Sequence, residues 1–321
     1  KKIVGIIAAV AMAASVFAMD FSGGFKVEGS LFDLTAKSGS KPSALSVGTA
    51  SGGFYWGTRI QTAFYGDKAG AQFALSYHGW EDAATDLYLR DQKIWVQPID
   101  MLKITMLNVG DKLNASFVDD KSVLSVGGAW QFEVKPVDAF TATFTLAGPW
   151  LNNGVIGDTG LTFKYAADFG TIGFMYTGSN NFKAHGLALG YAGTFDAISM
   201  FADAGLTLSA AGVDNFNVDA QVIASLDAFK LSTYVLFSDK AFKFDKANIS
   251  VLLRFKAEYN LGSATAYLSV SDDNLLSDPF DMVFNPGVAF NIGAAGCDIG
   301  VKIETKNDVK ISVPFSVGVN F

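Results

Sequence analysis

His78, Glu81, Asp82 and Asp86 crowd one short stretch, and His185 is the only other histidine in the chain. An imidazole within reach of carboxylates is the raw material of acid–base hydrolysis. Neither histidine sits in a nucleophile or metal-ligand motif, so a solvated polar rim accounts for them better than a hydrolytic site. Asp272, Asp273, Asp278 and Asp281 could offer oxygens to Ca²⁺. The ligand-spaced loop of an EF-hand, with its glycine turn, is missing there, and an acidic solubilising loop is the simpler reading. Gly52-Gly53 lacks the Lys-Ser/Thr that follows in a phosphate-binding loop. A single cysteine, Cys297, rules out a disulfide framework and a Cys-based zinc site. The residues therefore predict no enzyme and no cofactor, and function must come from how the elements array charged and aromatic side chains.

Those elements are strands. The 321 residues are half hydrophobic yet only 17% charged, with a net charge of −7, which excludes a disordered tail and a basic nucleic-acid binder. Glycine (33) beside Phe (28), Tyr (10) and Trp (5) favours many strands and tight turns over helices. Lys1 and Lys2 precede an uncharged run from Ile3 to Ala18, too short to span a bilayer as a helix, with small residues Val16 and Ala18 before a cut at Met19. This layout predicts a signal peptide over 1–18 and a single β-barrel domain over 19–321.

Phe140, Ala142, Phe144 and Leu146 alternate with Thr141, Thr143 and Thr145. Leu124, Val126, Trp130, Phe132 and Val134 alternate with Ser125, Gln131 and Glu133, and the runs 249–259 and 310–321 behave likewise. Each is a strand with one greasy and one wet face, and so many greasy faces exceed what one soluble core can bury. Breaks at Leu87 and Leu89 against Ile94 and Val96, and at Met106 against Leu107, call for bulges to restore register.

Two kinds of reversal alternate. Short ones repeat a hydrophobic-Asp theme at Asp100, Asp138, Asp168, Asp196 and Asp227, where Asp can bond its own backbone. Longer, more polar ones cover 36–51, 111–122, 149–157, 239–246 and 272–281. The repeat is roughly 32 residues per hairpin, which predicts about eighteen strands, within 16–20. The fold class expected is all-β, a transmembrane antiparallel up-and-down β-barrel with short periplasmic turns and longer extracellular loops. No loop is long enough to predict a folded constriction.

With its leader, alternating strands, two kinds of reversal and a last strand ending at Phe321, the chain resembles outer-membrane β-barrel proteins of the porin type. The stretch Trp95 to Lys103 is also loosely similar to spirochaete outer-membrane barrels. The resemblance implies a Gram-negative outer membrane as location. It implies the lipids and insertion machinery of that membrane as partners, with Val317, Val319 and Phe321 as the assembly signal. It leaves open whether copies associate into a homo-oligomer.

About eighteen strands enclose more space than side chains fill, so the function expected is a channel for passive diffusion of small hydrophilic solutes or ions. The alternative is a surface adhesin or structural barrel with an occluded lumen. Inward parity makes Arg59, Lys164, Asp203, Asp219, Lys230, Arg254, Lys256, Glu258 and Lys302 the pore-lining candidates. Across the whole wall the same sorting gives ten bases against seven acids, which predicts mild anion preference. Lys103, Lys135 and Lys230 could instead pair with the turn residues Asp100, Asp138 and Asp227. Phe201, Tyr234 and Tyr267 share the inward parity and form a candidate aromatic track for sugar rings. Phe54, Trp56, Trp130, Tyr165, Tyr176, Tyr191 and Tyr259 are expected in interfacial girdles.

Overall fold

The computed structural model describes residues 18–36, 55–79, 86–117, 120–147, 151–152, 155–179, 181–278, 281–305 and 309–320. The expected leader, apart from Ala18, and Phe321 lie outside these residues, as do Phe54, Glu81, Asp82 and Gly52-Gly53; for Trp56, Arg59, His78 and Asp86 only the backbone is described.

The alternating segments fold as strands β1 (Ala18–Ala36), β2 (Tyr55–Tyr65), β3 (Ala69–Gly79), β4 (Asp86–Ile99), β5 (Leu102–Lys112) and β6 (Ser125–Val137). They continue as β7 (Phe140–Leu146), β8 (Thr159–Ala167), β9 (Gly170–Ser179), β10 (Ala184–Phe195), β11 (Ile198–Ser209) and β12 (Gly212–Leu226). The last six are β13 (Phe229–Lys240), β14 (Ile249–Asn260), β15 (Ala264–Asp272), β16 (Met282–Ile292), β17 (Ala295–Gly300, resuming as Lys302–Glu304) and β18 (Val309–Asn320). Both halves of β17 pair with β16 and with β18, and Val301 N donates to Pro286 O between them, so they fill one position in the wall. That makes eighteen positions, as the repeat length predicts.

Every neighbour is antiparallel and follows the previous one in sequence. β1 pairs with β2 (Phe25 opposite Thr58) and also with β18 (Val27 opposite Val317), so the sheet closes on itself. Two-residue turns at 138–139, 168–169, 196–197, 227–228, 262–263 and 293–294 lie on one rim. Asp196 (φ 52°) and Asp227 (φ 48°) take the left-handed conformation that a short polar side chain tolerates. Among the described residues, the other rim carries the longer connection 241–248 and parts of those after β5, β7 and β15, but also the two-residue turn 210–211.

Closure sorts each strand into two faces. On β7 the Phe144 ring is exposed outside while Thr143 and Thr145 are buried inside, and the outer surface of β10 carries Leu189 at 60% exposure. Outward rings pair across strands, Phe140 on Phe163 at 6.0 Å and Phe163 on Phe174 at 6.5 Å. Trp130, Tyr165 and Tyr259 are exposed on this face as a girdle requires, whereas the Tyr176 hydroxyl pairs with His185 Nδ1 at 2.9 Å and Tyr191 bonds the carbonyl of Phe169.

Both expected bulges are present. Leu107 (φ 66°) and Asn108 (φ 41°) stand opposite the single residue Ala129, one residue in excess, and the β3–β4 register shifts between Gln72 and Ala74. A third break escapes the alternation rule. Leu124 and Val126 do not share the outer face of Trp130: β6 kinks at Gly127-Gly128, and both side chains are buried inside. A Cβ on Gly128 would come within 2.3 Å of Leu146 O, so only glycine allows that approach.

Candidate functional site: a lumen divided by an inward loop

Residues 113–117 and 120–124 fold into the barrel, which corrects the expectation that no loop is long enough for a folded constriction. Their apolar side chains drive this. Leu113, Val123 and Leu124 are buried against Val126, Met175 and Ala188, forming a hydrophobic core where a lumen would otherwise hold water. Each such side chain, fully buried, contributes about 1.5–3 kcal/mol. The wall beneath is cut back to receive them: a Cβ on Gly173 would stand 2.8 Å from Leu113 Cδ2, and one on Gly186 2.6 Å from Leu124 Cδ1.

Polar contacts fix the loop's orientation. Asn114 Nδ2 donates to Asp203 Oδ1 at 2.7 Å, and Phe117 N donates to Gln221 Oε1 at 2.6 Å. Lys164 Nζ donates to the carbonyls of Lys112 (3.2 Å) and Leu113 (2.9 Å), satisfying groups that leave the β5 ladder. Within the loop, Ser116 N donates to Lys121 O at 2.8 Å, Lys121 N donates back to Ser116 Oγ at 2.9 Å, and Lys112 pairs with Asp120.

The candidate residues therefore separate into two groups. Lys164, Asp203 and Asp219 do face inward, but Lys164 is spent on the loop, and the two carboxylates are enclosed at 2% and 1% exposure, Asp219 accepting from the Tyr234 hydroxyl at 2.9 Å. The expected aromatic track is broken for the same reason. Phe201 and Tyr234, ring centroids 6.2 Å apart, are 6% and 0% exposed and packed with Leu252 against Phe117, so no solute can stack on them. Tyr267 stands apart from that cluster.

Beyond that cluster, the wall from β14 to β17 borders two cavities. A cavity of about 650 Å³ is lined by Arg254, Lys256, Glu258, Tyr267, Asn285 and Asp298, and a second of about 300 Å³ continues toward the short-turn rim past Thr265, Asp298 and Ser316. Charges here are paired. Arg254 Nη2 contacts Asp273 Oδ1 at 2.5 Å, Lys256 Nζ contacts Glu258 Oε1 at 2.7 Å, Lys230 lies 4.0 Å from Glu258, and Lys302 lies 2.5 Å from Glu304. The turn aspartates take no part in this. Asp100 pairs with Lys68 at 3.0 Å, Lys135 with Glu133 at 3.2 Å, and Lys103 Nζ stands 5.0 Å from the Trp95 ring. Of the acidic loop, Asp272 is buried and accepts from Asn274 N, and Asp273 binds Arg254. Cys297 is a free thiol at the smaller cavity.

Asn114, Phe117 and the buried loop leucines were not singled out by parity. The signal was present all the same: Leu113, Phe117, Val118, Val123 and Leu124 make a loop far too apolar for a wet rim, and glycines recur at the inward positions that oppose it.

No family model matches the chain, and no curated protein matches it. Solved structures do. A crystal structure of Pseudomonas aeruginosa OpdQ is similar over 94% of this chain and 98% of that one, at 10% identity and a TM-score of 0.59. A triple mutant of Rhodopseudomonas blastica porin is similar over 95% of this chain and 100% of that one, at 12% identity and a TM-score of 0.51. At this identity the likeness is one of fold: the closed antiparallel barrel of porins.

Proposed function

We propose that the protein is an outer-membrane channel for passive diffusion of small hydrophilic solutes, with the passage running along β14 to β17. One observation supports the reading: the barrel is apolar outside, and beside the loop docked in its lumen a cavity of about 650 Å³ is lined by charged and polar side chains of β14 to β17. Outward hydrophobes suit lipid, and paired charges with hydroxyls and amides suit a hydrated path. In this reading residues 1–18 are the export signal, Val317, Val319 and Phe321 recruit the insertion machinery, and Arg254, Lys256, Glu258, Lys230 and Lys302 line the path. Catalysis plays no part in it. Purified protein in a planar bilayer should give discrete single-channel steps. A folded, inserted barrel that carries no current would sink the reading in favour of an occluded structural or adhesive barrel.

A further inference from the structure

We propose that the segment 241–248, which joins β13 to β14, is a docking site for a phosphate-bearing lipid of the outer leaflet. The proposal goes beyond the channel reading, because it concerns the outer wall and needs no current through the lumen.

The segment folds back over the outer face of the barrel. Phe216 of β12 shares its parity with Val222, and Phe237 of β13 shares its parity with Leu231; both aliphatic residues are exposed outside. Onto Phe216 the segment lays two further rings, Phe242 at 5.3 Å and Phe244 at 6.4 Å, which meet each other edge to face at 4.6 Å. Phe242 and Phe244 nevertheless stay half exposed. Asp239, fully buried at the end of β13, accepts from Phe244 N at 3.0 Å, and Ala241 N donates to Asp214 O at 2.9 Å. These bonds hold Ala241, Phe242 and Phe244 at φ of 59°, 54° and 52°. Bulky residues rarely adopt that left-handed conformation, and it persists only where the surroundings over-determine it. The two rings are therefore presented ready-made, with little ordering left for a ligand to impose.

The lysines of the segment select the ligand. Lys243 sits between the two phenylalanines in sequence and Lys246 follows two residues after the second. Asp245, the one carboxylate of the segment, is turned onto the segment itself, accepting from Ala247 N, Asn248 N and Asn248 Nδ2. Among the described residues no carboxylate lies within 4.0 Å of Lys243 or Lys246, whereas Arg254, Lys256 and Lys302 in the lumen each hold one. In a chain of net charge −7, two unspent ammonium groups thus stand beside two apolar rings on the lipid-facing wall. Apolar rings suit acyl chains, and ammonium groups bind phosphate by charge-assisted hydrogen bonds, so the pairing matches the level where chain meets headgroup. The connection between β9 and β10 repeats it on a smaller scale: Phe182 (φ 58°) covers Gly178, where a Cβ would lie 2.5 Å from its Cδ1, and the exposed Lys183 follows.

Dimyristoyl phosphatidylglycerol is the probe, with dimyristoyl phosphatidylcholine as the neutral comparison, each titrated into the folded full chain in detergent. Native mass spectrometry counts retained lipid, and hydrogen exchange of the amides of 241–248 reads this segment alone. The wild type should retain the glycerol lipid more tightly than the choline lipid and should exchange more slowly over 241–248 when it is bound. Lys243→Gln/Lys246→Gln should weaken retention of the glycerol lipid roughly thirtyfold, the weight of two lysines at an anionic surface, and should abolish the preference. Phe242→Ser/Phe244→Ser should weaken both lipids, and an outer-face control, Phe174→Leu, should match the wild type. Equal retention of the two lipids by the wild type, or an undiminished preference in the lysine double variant, overturns the proposal. Slowing of exchange by inorganic phosphate as great as by lipid would reduce the site to a free-anion site and overturn the lipid. A lipid-free dimer protected over 241–248 would make a second copy the occupant and overturn it too. None of these readings depends on conductance, so the channel can fail while the lipid site stands, and the reverse.

Discussion

Releasing the inward loop should widen the passage, and the size of the effect can be worked from its contacts. Leu113→Ala removes a side chain buried between Val126 and Met175, a change that costs about 2–5 kcal/mol in a packed core. Asn114→Ala deletes the side-chain donor to the buried Asp203 Oδ1, at a cost of about 1–3 kcal/mol. Adjacent residues couple, so the two costs need not simply add; their sum of about 3–8 kcal/mol is equivalent to roughly two to six powers of ten in the undocked-to-docked ratio. The barrel itself is held by ladders that neither residue joins. Two assays read the outcome: single-channel conductance, which should rise and fluctuate, and trypsin cleavage after Lys121, whose backbone is bonded to Ser116 in the docked loop and should become accessible. A double variant that folds, conducts at the wild-type level and resists trypsin equally would refute the docked loop as the constriction.

Filling the wall pocket should do the same from the other side: Gly186→Leu collides with Leu124, and conductance should rise while thermal stability of the barrel changes little. For the outer face, Leu189→Lys should lower folding stability in lipid by roughly 2–4 kcal/mol, whereas Ser269→Lys in the lumen should be tolerated; equal tolerance in a denaturant titration would show the faces to be misassigned. Reversing charge along the wall from β14 to β17 with Arg254→Glu and Lys256→Glu should move the reversal potential in a KCl gradient toward cation preference, and no movement would place selectivity at the mouths instead. Deleting Phe321 should reduce the amount of assembled barrel in outer membranes more than shortening the segment 273–278 does, as quantitative blotting of membrane fractions can decide.

The strand pattern was legible because a membrane barrel obeys period two almost without interruption. Lipid demands apolar side chains at every second position, and closure lets no strand escape the rule. Leu107-Asn108 announced itself as a parity change, and a bulge is the one-residue insertion that such a change requires. Gly127-Gly128 was misread because parity assumes a straight strand; two glycines allow a backbone approach that turns Val126 inward while the letters still alternate. The docked loop was missed for a different reason. Inward positions read polar or small, and nothing in a local pattern reveals that Leu113 meets Gly173, or that Asn114 meets Asp203 across a gap of 89 residues.

The same long-range contacts change what the wall charges mean. Counted along the strands, ten inward bases outnumber seven acids, and a field summed over that wall would favour anions. The loop withdraws Asp203, Asp219 and Lys164 from the path together, leaving the excess of bases nearly where it was. What alters the argument is pairing: Arg254, Lys256 and Lys302 each lie within a hydrogen-bond length of a carboxylate. A paired base in a wet lumen projects little field beyond its partner, because opposite charges a few ångströms apart cancel at distances comparable to the Debye length of about 8 Å. Selectivity for ions should therefore be weak, and discrimination should rest on shape and hydrogen bonding in the cavities along β14 to β17.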